Sequence, residues 1–219
     1  MRLLGFRPDV QTEITDRYVR EQLQPSLLRN DELRFIYSAR SRDDLGEARQ
    51  VVSIWDAGEA DERDLEARIS RPFDCETTDL VADHCIEVLP VSFALTIDSQ
   101  AEASILRLFR GRTRADCLNA YVEEVHATTS AAAQANRGPL ALFFASQPPD
   151  QVIAISIWSD WDEVTAATGG NVQTPIATHH AERLFAWDAT HYEIIPMTVA
   201  GAVPRRPRAA GAGVEVSNS

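Results

Sequence analysis

Short apolar runs alternate with longer, more polar segments along this chain. The first run, Leu3–Phe6, precedes a segment at 11–24 that is predicted to be helical. Two more runs, Leu33–Ala39 and Val51–Trp55, flank a stretch of turn-forming residues. Because short apolar runs bounded by turns are typical of strands, the pattern predicts a strand, a helix and two further strands.

A second helix and a fourth strand complete this unit. The helix is predicted to begin near Glu59, in a stretch whose acidic residues suit the positive end of the helix dipole. The strand is predicted at Cys85–Leu89, and Pro90 ends it because proline cannot donate a hydrogen bond to a neighbouring strand. The resulting order, β-α-β-β-α-β, is that of a ferredoxin-like unit.

The same pattern recurs when the sequence is compared with itself at a shift of 103 residues. Ser53-Ile-Trp then falls on Ser156-Ile-Trp, and Tyr18-Val falls on Tyr121-Val. Further matches place Leu3, Phe6, Arg7 and Glu21 on Leu106, Phe109, Arg110 and Glu124, and a shift of 106 places Glu87-Val-Leu-Pro on Glu193-Ile-Ile-Pro. Because the order is kept at a nearly constant offset, the sequence predicts a tandem duplication.

The second unit has the same predicted elements as the first. They are strands at Ile105–Phe109, Leu140–Ser146, Val152–Trp158 and Tyr192–Ile195, with helices at 114–135 and from Trp161 onwards. The first of these helices carries an apolar stripe that includes Tyr121, Val122 and Val125. This spacing is typical of a helix that is buried on one face.

The predicted boundaries follow from the repeat. Residues 1–97 and 104–200 form the two units, residues 98–103 form a connector, and residues 201–219 form a flexible tail rich in Ala, Gly, Pro and Arg. A four-stranded sheet with both helices on one face leaves its other face bare, and two such sheets in one chain can cover each other. The predicted fold class is therefore α+β, with two fused ferredoxin-like repeats forming an α/β barrel.

Composition narrows the class of partner. The 219 residues include 33 acidic and 21 basic side chains, giving a formal charge of -12. Nucleic acid and anionic membrane surfaces attract positive charge, so neither is an expected partner. No stretch approaches the roughly 20 apolar residues that span a bilayer. The opening apolar run is too short for a signal peptide. The three cysteines form no CxxC pair. A cytoplasmic protein is expected.

The strand motifs resemble those of the dimeric α/β-barrel superfamily, in particular the antibiotic-biosynthesis monooxygenase-like and stress-responsive A/B-barrel proteins. The resemblance lies in Val51-Val-Ser-Ile-Trp-Asp and Ile153-Ala-Ile-Ser-Ile-Trp-Ser, and in the closing strands Ile86-Glu-Val-Leu-Pro and Tyr192-Glu-Ile-Ile-Pro. It covers nearly the whole chain, once in each repeat. Most members build the barrel from two chains, so it implies either a monomer with an intramolecular barrel or a homodimer.

The resemblance also implies a pocket between sheet and helices. Monooxygenase members oxidise polyketide-like aromatic molecules with dioxygen and need neither metal nor flavin, whereas related members degrade haem with an Asn, a Trp and a His. Trp55 and Trp158 occupy the position of the family's third-strand tryptophan. The monooxygenases carry an Asn four residues before it, where this chain has Val51 and Ala154.

Six aromatic side chains are candidates for the site. The catalytic candidates are Tyr121, His126 and Trp158, and the substrate-binding candidates are Tyr18, Trp55 and Phe109. Histidine is the usual proton carrier near neutral pH, and His126 lies at the edge of a helical stripe where the first repeat has Leu23. Each candidate also has a structural interpretation, since large rings at strand ends and on helix faces commonly pack in a core.

Neither a cofactor nor a metal is expected. His179, His180 and His191 lack the spacing of two histidines four residues apart that zinc-binding helices use. Two functions stay open: a cofactor-independent oxygenase that acts on a small aromatic or polyketide-like molecule, and a non-catalytic barrel that binds a small apolar ligand or serves in a stress response. A protein that binds haem, through His179 or His180, or that degrades it is a third alternative.

Overall fold

The computed structural model describes residues 1–6, 11–41, 49–56, 62–69, 81–97, 102–176 and 182–196. The strands are β1 (Arg2–Phe6), β2 (Leu33–Ser41), β3 (Arg49–Trp55), β4 (Val81–Val88), β5 (Val91–Thr96), β6 (Ile105–Thr113), β7 (Ala141–Gln147), β8 (Gln151–Trp158) and β9 (Leu184–Ile194). The helices are α1 (Thr12–Tyr18), α2 (Gln24–Leu27), α3 (Glu62–Ile69), α4 (Leu118–Gln134) and α5 (Trp161–Ala167).

The strands form one antiparallel sheet in the order β4-β1-β3-β2-β9-β6-β8-β7-β5. The first four strands of the chain take the local order β4-β1-β3-β2, and β6 to β9 take the equivalent order β9-β6-β8-β7. The eight strands and four helical regions that the hydrophobic pattern predicts are therefore present in their predicted sequence order.

Two pairings join the halves of the sheet. The end of β9 pairs with β2, where Ala39 lies opposite Ile194, and β5 pairs with β7. The outermost strands of the described sheet are β4 and β5, which do not pair with each other, so its hydrogen bonding does not close a ring. Only Leu89 and Pro90 separate these two strands along the chain. A closed barrel of two repeats is not established by this pairing.

Strand β5 was not predicted. Its residues alternate in burial, with Val91, Phe93 and Leu95 less exposed than their neighbours. A period of two is typical of a strand, but this segment follows Pro90 directly, and the predicted boundaries place it at the end of the first unit. In the structure β5 belongs to the sheet edge of the second half, because its partner is β7.

The sheet has a different core on each face. On one face, side chains from both halves form a single cluster that includes Leu3, Val52, Leu106 and Ile155. On the other face, each half packs beneath its own helices. Burying a side chain such as Leu106 removes it from water and contributes about 2 kcal/mol. The faces beneath the helices are where the predicted pocket would lie.

The first helical region runs through a π-helical turn at Val19–Leu23, between α1 and α2. Pro25 lies in the first turn of α2, where it supplies no N–H to the preceding helix. A π-helical turn is a common way to accommodate such an interruption. The region extends beyond its predicted end at residue 24 and buries Tyr18, Leu23 and Leu27 against the sheet.

Some predictions fall outside the described residues. They concern His179 and His180, most of the connector and the tail at 201–219. Among the described helices, none is both long and apolar enough to cross a membrane. Within the same described ranges, no three or more His, Cys, Asp or Glu side chains come together in a way that could hold a metal ion.

Candidate functional site

Buried polar side chains from three neighbouring strands meet on the helix-facing side of the second half. Arg107 of β6 lies opposite Ser156 of β8 on one side and opposite His191 of β9 on the other. Residues in such register project from the same face with their Cβ atoms about 5 Å apart. All three are only 1% exposed. Together with Trp158 they form what is called here the Arg107 cluster.

Backbone carbonyl groups hold the Arg107 guanidinium. Nη2 donates to the carbonyl oxygen of Thr174 at 2.6 Å, and Nε and Nη2 each lie 3.3 Å from that of Val172. Both acceptors come from the segment that follows α5. Within the described part of the chain, no carboxylate forms an ion pair with Arg107. Among the described residues, this buried positive charge is therefore balanced by carbonyl dipoles rather than by a carboxylate.

Burial changes the acidity of this region. It lowers the pKa of Arg107 to about 10, which still leaves the guanidinium charged at neutral pH. Burial also raises the pKa of the Tyr121 hydroxyl on α4, an effect that the nearby charge of Arg107 partly opposes. Tyr121 is thus a neutral phenol close to a buried cation at physiological pH.

Trp158 is completely buried and packs with Ile105 and Val164 beneath α5. Its indole Nε1 donates to Ser156 Oγ at 2.8 Å. Because the indole has only this one N–H group, Trp158 contributes an apolar ring to the cluster rather than a free hydrogen-bond donor. The ring of Phe109 supplies a second apolar surface, with its centroid 5.5 Å from Arg107 Cζ.

His191 is a member of the Arg107 cluster that is not among the six site candidates predicted from the sequence. In the sequence it stands only as a distant third histidine beside His179 and His180, whereas in the structure its ring lies 5.2 Å from that of Trp161 at the start of α5. The predicted last strand began at Tyr192 and so excluded it. Strand β9 begins at Leu184, and the run of four exposed residues after Leu184 breaks the alternation by which a sequence pattern would reveal the strand.

The structure brings some of the predicted site residues together. Phe109 and Trp158 flank Arg107 and Ser156, and Tyr121 lies within electrostatic reach of Arg107. His126 is exposed on α4, and its ring lies 4.6 Å from that of Phe93 on β5. Its catalytic role stays a prediction.

The other two candidates lie in the first half. Tyr18 packs edge-on against Phe6 with centroids 6.0 Å apart, and Trp55 donates from Nε1 to Ser53 Oγ at 2.8 Å. Both are buried beneath the helices of that half. Their substrate-binding roles stay predictions, as do those of the catalytic candidates.

An open groove of about 670 Å³ lies at the opposite end of β6. Its lining residues are Thr113, Ala115, Asp116, Leu118, Asn119, Pro148, Pro149, Asp150 and Phe185. None of them belongs to the Arg107 cluster or to the predicted site. The groove is wide open, whereas the cluster combines burial with charge, so the cluster is the better candidate for chemistry.

Comparison with solved structures places the chain among proteins of similar fold. One neighbour, from Fusobacterium nucleatum, is provisionally named as a monooxygenase; it has 11% identity and a TM-score of 0.59, covering 92% of this chain and 94% of the other. Another, from Lactobacillus acidophilus, carries the same provisional name, with 10% identity, a TM-score of 0.62, and coverage of 92% and 97%.

A third neighbour is described as an anthrone oxidase-like protein, with 13% identity, a TM-score of 0.55, and coverage of 92% of this chain and 93% of the other. No protein-family model and no curated protein sequence matches this chain. At identities this low, the similarity concerns the fold alone. The chain shares the mixed α/β fold of these proteins over nearly its whole length.

Proposed function

We propose that this protein binds a small aromatic molecule with an acidic phenol or enol group at the Arg107 cluster, and oxidises it with dioxygen without a cofactor. One observation carries the proposal: a buried guanidinium that no described carboxylate neutralises lies beside a buried imidazole and apolar rings. The names of the structural neighbours supply the reaction class that we extend to this chain.

The proposed fold is a closed barrel of two repeats, with the site outside it, between sheet and helices. The equivalent strand order in both halves supports this proposal, as does the single core cluster that both halves share. The two outermost strands, β4 and β5, are consecutive in the chain, so the backbone itself links the edges that hydrogen bonds leave open.

In the proposed mechanism, His191 accepts a proton from the activated carbon or the hydroxyl group of the substrate. The resulting enolate or phenolate lies against the Arg107 guanidinium. A fixed cation in a water-poor site stabilises an anion far more than it would in bulk water, and therefore lowers the substrate's pKa. The rings of Phe109 and Trp158 would form the apolar walls.

Dioxygen then takes electrons from the anion itself. One electron passes from the enolate to dioxygen, the two radicals combine to form a C–O bond, and protonation gives a hydroperoxide. Loss of water from the hydroperoxide leaves a carbonyl group, so that CH₂ and O₂ become C=O and H₂O. His191 returns its proton to the peroxide oxygen, and no external reductant is needed.

Access to Arg107 requires a local movement. The carbonyl groups of Val172 and Thr174 occupy the guanidinium donors in the structure. A bound anion would replace these neutral acceptors with a charged one, and charge-assisted hydrogen bonds are roughly twice as strong. We therefore expect the segment after α5 to shift when ligand binds.

Oxygen uptake with an anthrone and with a quinol tests this proposal. The wild type should consume one dioxygen per anthrone and release the anthraquinone. His191→Gln should slow turnover by about a hundredfold, the lower end of the usual contribution of a general base, and Arg107→Met by a similar factor. Arg110→Met is the matched control, since Arg110 lies on the same strand but in an exposed ion pair with Glu87.

Two results would count against this assignment. If His126→Ala slows turnover while His191→Gln does not, the proton acceptor is His126 and the base assigned here is wrong. If the wild type consumes no oxygen with any of these substrates, the enzyme proposal fails.

A non-catalytic binding protein is the second candidate. The positions where the monooxygenases carry their Asn are apolar in both halves, with Val51 and Ala154 buried on the helix-facing side. Ligand binding without oxygen uptake would favour this function. It would leave Arg107 as the anion-binding residue and remove the catalytic role of His191.

A further inference from the structure

We propose that the open groove at the end of β6 is a separate small-molecule site, which binds an organic amine whose ammonium group is attached to a flat apolar body. The groove has a volume of about 670 Å³, within the range of about 300–1,000 Å³ that is typical of ligand pockets. Its lining residue Thr113 and Arg107 are six positions apart on β6, which at the rise of a strand is about 20 Å. The groove therefore lies outside the Arg107 cluster, and this inference does not rest on the proposed function.

Part of the lining is apolar. Phe185 of β9 is 53% exposed, the largest value for a large hydrophobic side chain among the described residues. Leu118 at the start of α4 and the two prolines that follow β7, Pro148 and Pro149, also line the groove. An exposed phenyl ring beside aliphatic side chains gives a flat aromatic ligand a surface on which to pack, and the contact removes apolar surface from water.

The charged part of the lining is acidic. It contains Asp116 and Asp150, and no arginine is among the described residues that line the groove. Asp150 lies 3.5 Å from the guanidinium of Arg112, whereas no ion pair or hydrogen bond joins the Asp116 carboxylate to another described residue. An ammonium group can therefore donate to Asp116, and the amide oxygen of Asn119 can accept a second N–H bond.

The start of α4 supplies an opposing charge. Leu118 is the first residue of this helix, and the preceding Cys117 forms no side-chain hydrogen bond to the first turn. Free N–H groups at a helix start favour an anion, with the effect of about half an elementary positive charge. The full negative charge of the Asp116 carboxylate exceeds this partial charge, so the groove should attract a cation.

An arylalkylamine matches both parts of this lining. Its ammonium group would pair with Asp116, and its ring would pack against Phe185. A neutral alcohol of the same shape would keep the apolar contact but lose the ion pair. A carboxylic acid of the same shape would be repelled by Asp116 and attracted by the start of α4.

Titration with three such ligands tests this inference: phenylethylamine, phenylethanol and phenylpropionate, which at neutral pH are a cation, a neutral molecule and an anion. Amide NMR spectra of the full chain locate and measure the binding. The amine should shift the amide signals of Asn119 and Phe185, and it should bind about fivefold more tightly than the alcohol, as expected for an exposed ion pair. Phenylpropionate should bind most weakly.

Asp116→Asn should abolish the preference for the amine over the alcohol and leave the affinity for the alcohol unchanged. Asp116 has a φ of 59°, a left-handed conformation that asparagine also adopts, so the substitution should preserve the backbone. Asp162→Asn is the matched control, since Asp162 lies in the first turn of α5 and does not line the groove. Phe185→Ala should weaken the amine and the alcohol alike, by about fivefold.

Several results would overturn this inference. If phenylpropionate binds most tightly, the start of α4 controls the groove and a cation is the wrong ligand. Equal affinities for the amine and the alcohol, equal effects of Asp116→Asn and Asp162→Asn, or no binding of any of the three ligands would each contradict the amine site. Oxygen uptake with an anthrone should be the same in Asp116→Asn as in the wild type, so failure of this inference and failure of the proposed function are observed separately.

Discussion

Arg107 and Tyr121 show how burial sets the chemistry of single residues here. Burial disfavours the charged form of each, so it lowers the pKa of the guanidinium and raises that of the phenol. Near neutral pH, one group stays cationic and the other neutral. No described carboxylate pairs with the Arg107 guanidinium. An anionic ligand that binds beside it therefore gains more electrostatic energy than it would beside a neutralised charge.

The raised pKa of Tyr121 predicts a loss of stability at alkaline pH. The unfolded phenol ionises near its ordinary value of 10.0 and the folded one does not, so above that pH the unfolded state binds fewer protons and the free energy of unfolding falls. The lowered pKa of Arg107 acts in the opposite direction, because it makes the unfolded state bind more protons over the same range.

Urea denaturation between about pH 9 and about pH 11 checks this, because the range begins below the ordinary tyrosine pKa of about 10 and ends above it. Tyr121→Phe removes only the phenol, so its stability should decline less with pH than that of the wild type. Equal slopes for the two proteins would show that the Tyr121 hydroxyl is not buried as described.

Among the elements, α1 is attached to the sheet by charge as well as by packing. Asp16 on α1 forms an ion pair with Arg40 of β2 at 3.1 Å and contacts the guanidinium of Arg49 on β3. Arg49 is buried, and it also donates from Nη2 to Ser38 Oγ at 2.7 Å. The network fixes the position of the helix over these strands.

Asp16→Asn should destabilise the fold by about 2–3 kcal/mol. The substitution leaves the buried Arg49 guanidinium without its carboxylate, and breaking a buried pair costs about 3–5 kcal/mol, which the 30% exposure of Asp16 reduces. Urea denaturation measures the change. In the matched control, Glu21→Gln removes an exposed pair with Arg20 and should cost less than about 1 kcal/mol. Equal losses in both variants would mean that the network contributes nothing specific.

At the scale of the whole molecule, the two halves share one core and one sheet. Leu106, which is completely buried, belongs to a cluster that also contains Leu3 and Val52 from the first half. Strand β5, which follows the first half in sequence, pairs with the second. We expect the halves to unfold together because neither can bury its inner sheet face alone.

Leu106→Ala tests this cooperativity. Removing a buried leucine side chain costs about 2–5 kcal/mol. Amide hydrogen exchange should then accelerate by a similar factor in β3 of the first half and in β8 of the second. Faster exchange confined to β6–β9 would show that the halves unfold as separate units.

Every strand except β5, and the apolar stripe at Tyr121 and Val125, could be predicted from the amino-acid sequence. These depend on local periodicity, since a strand alternates every two residues and a helix turns every 3.6. It also identified the two tryptophan strands, because Ser53-Ile-Trp and Ser156-Ile-Trp each lie within one element. Local patterns such as these require no knowledge of which strands become neighbours.

Which residues come into contact could be read from the folded chain alone. Arg107 and His191 lie far apart in the chain, and they face each other because β6 and β9 pair in one particular register. The pairing of β5 with β7 likewise depends on contacts between segments that are far apart in the chain. Register is set by contacts between distant segments, so a single sequence does not contain it as a local signal.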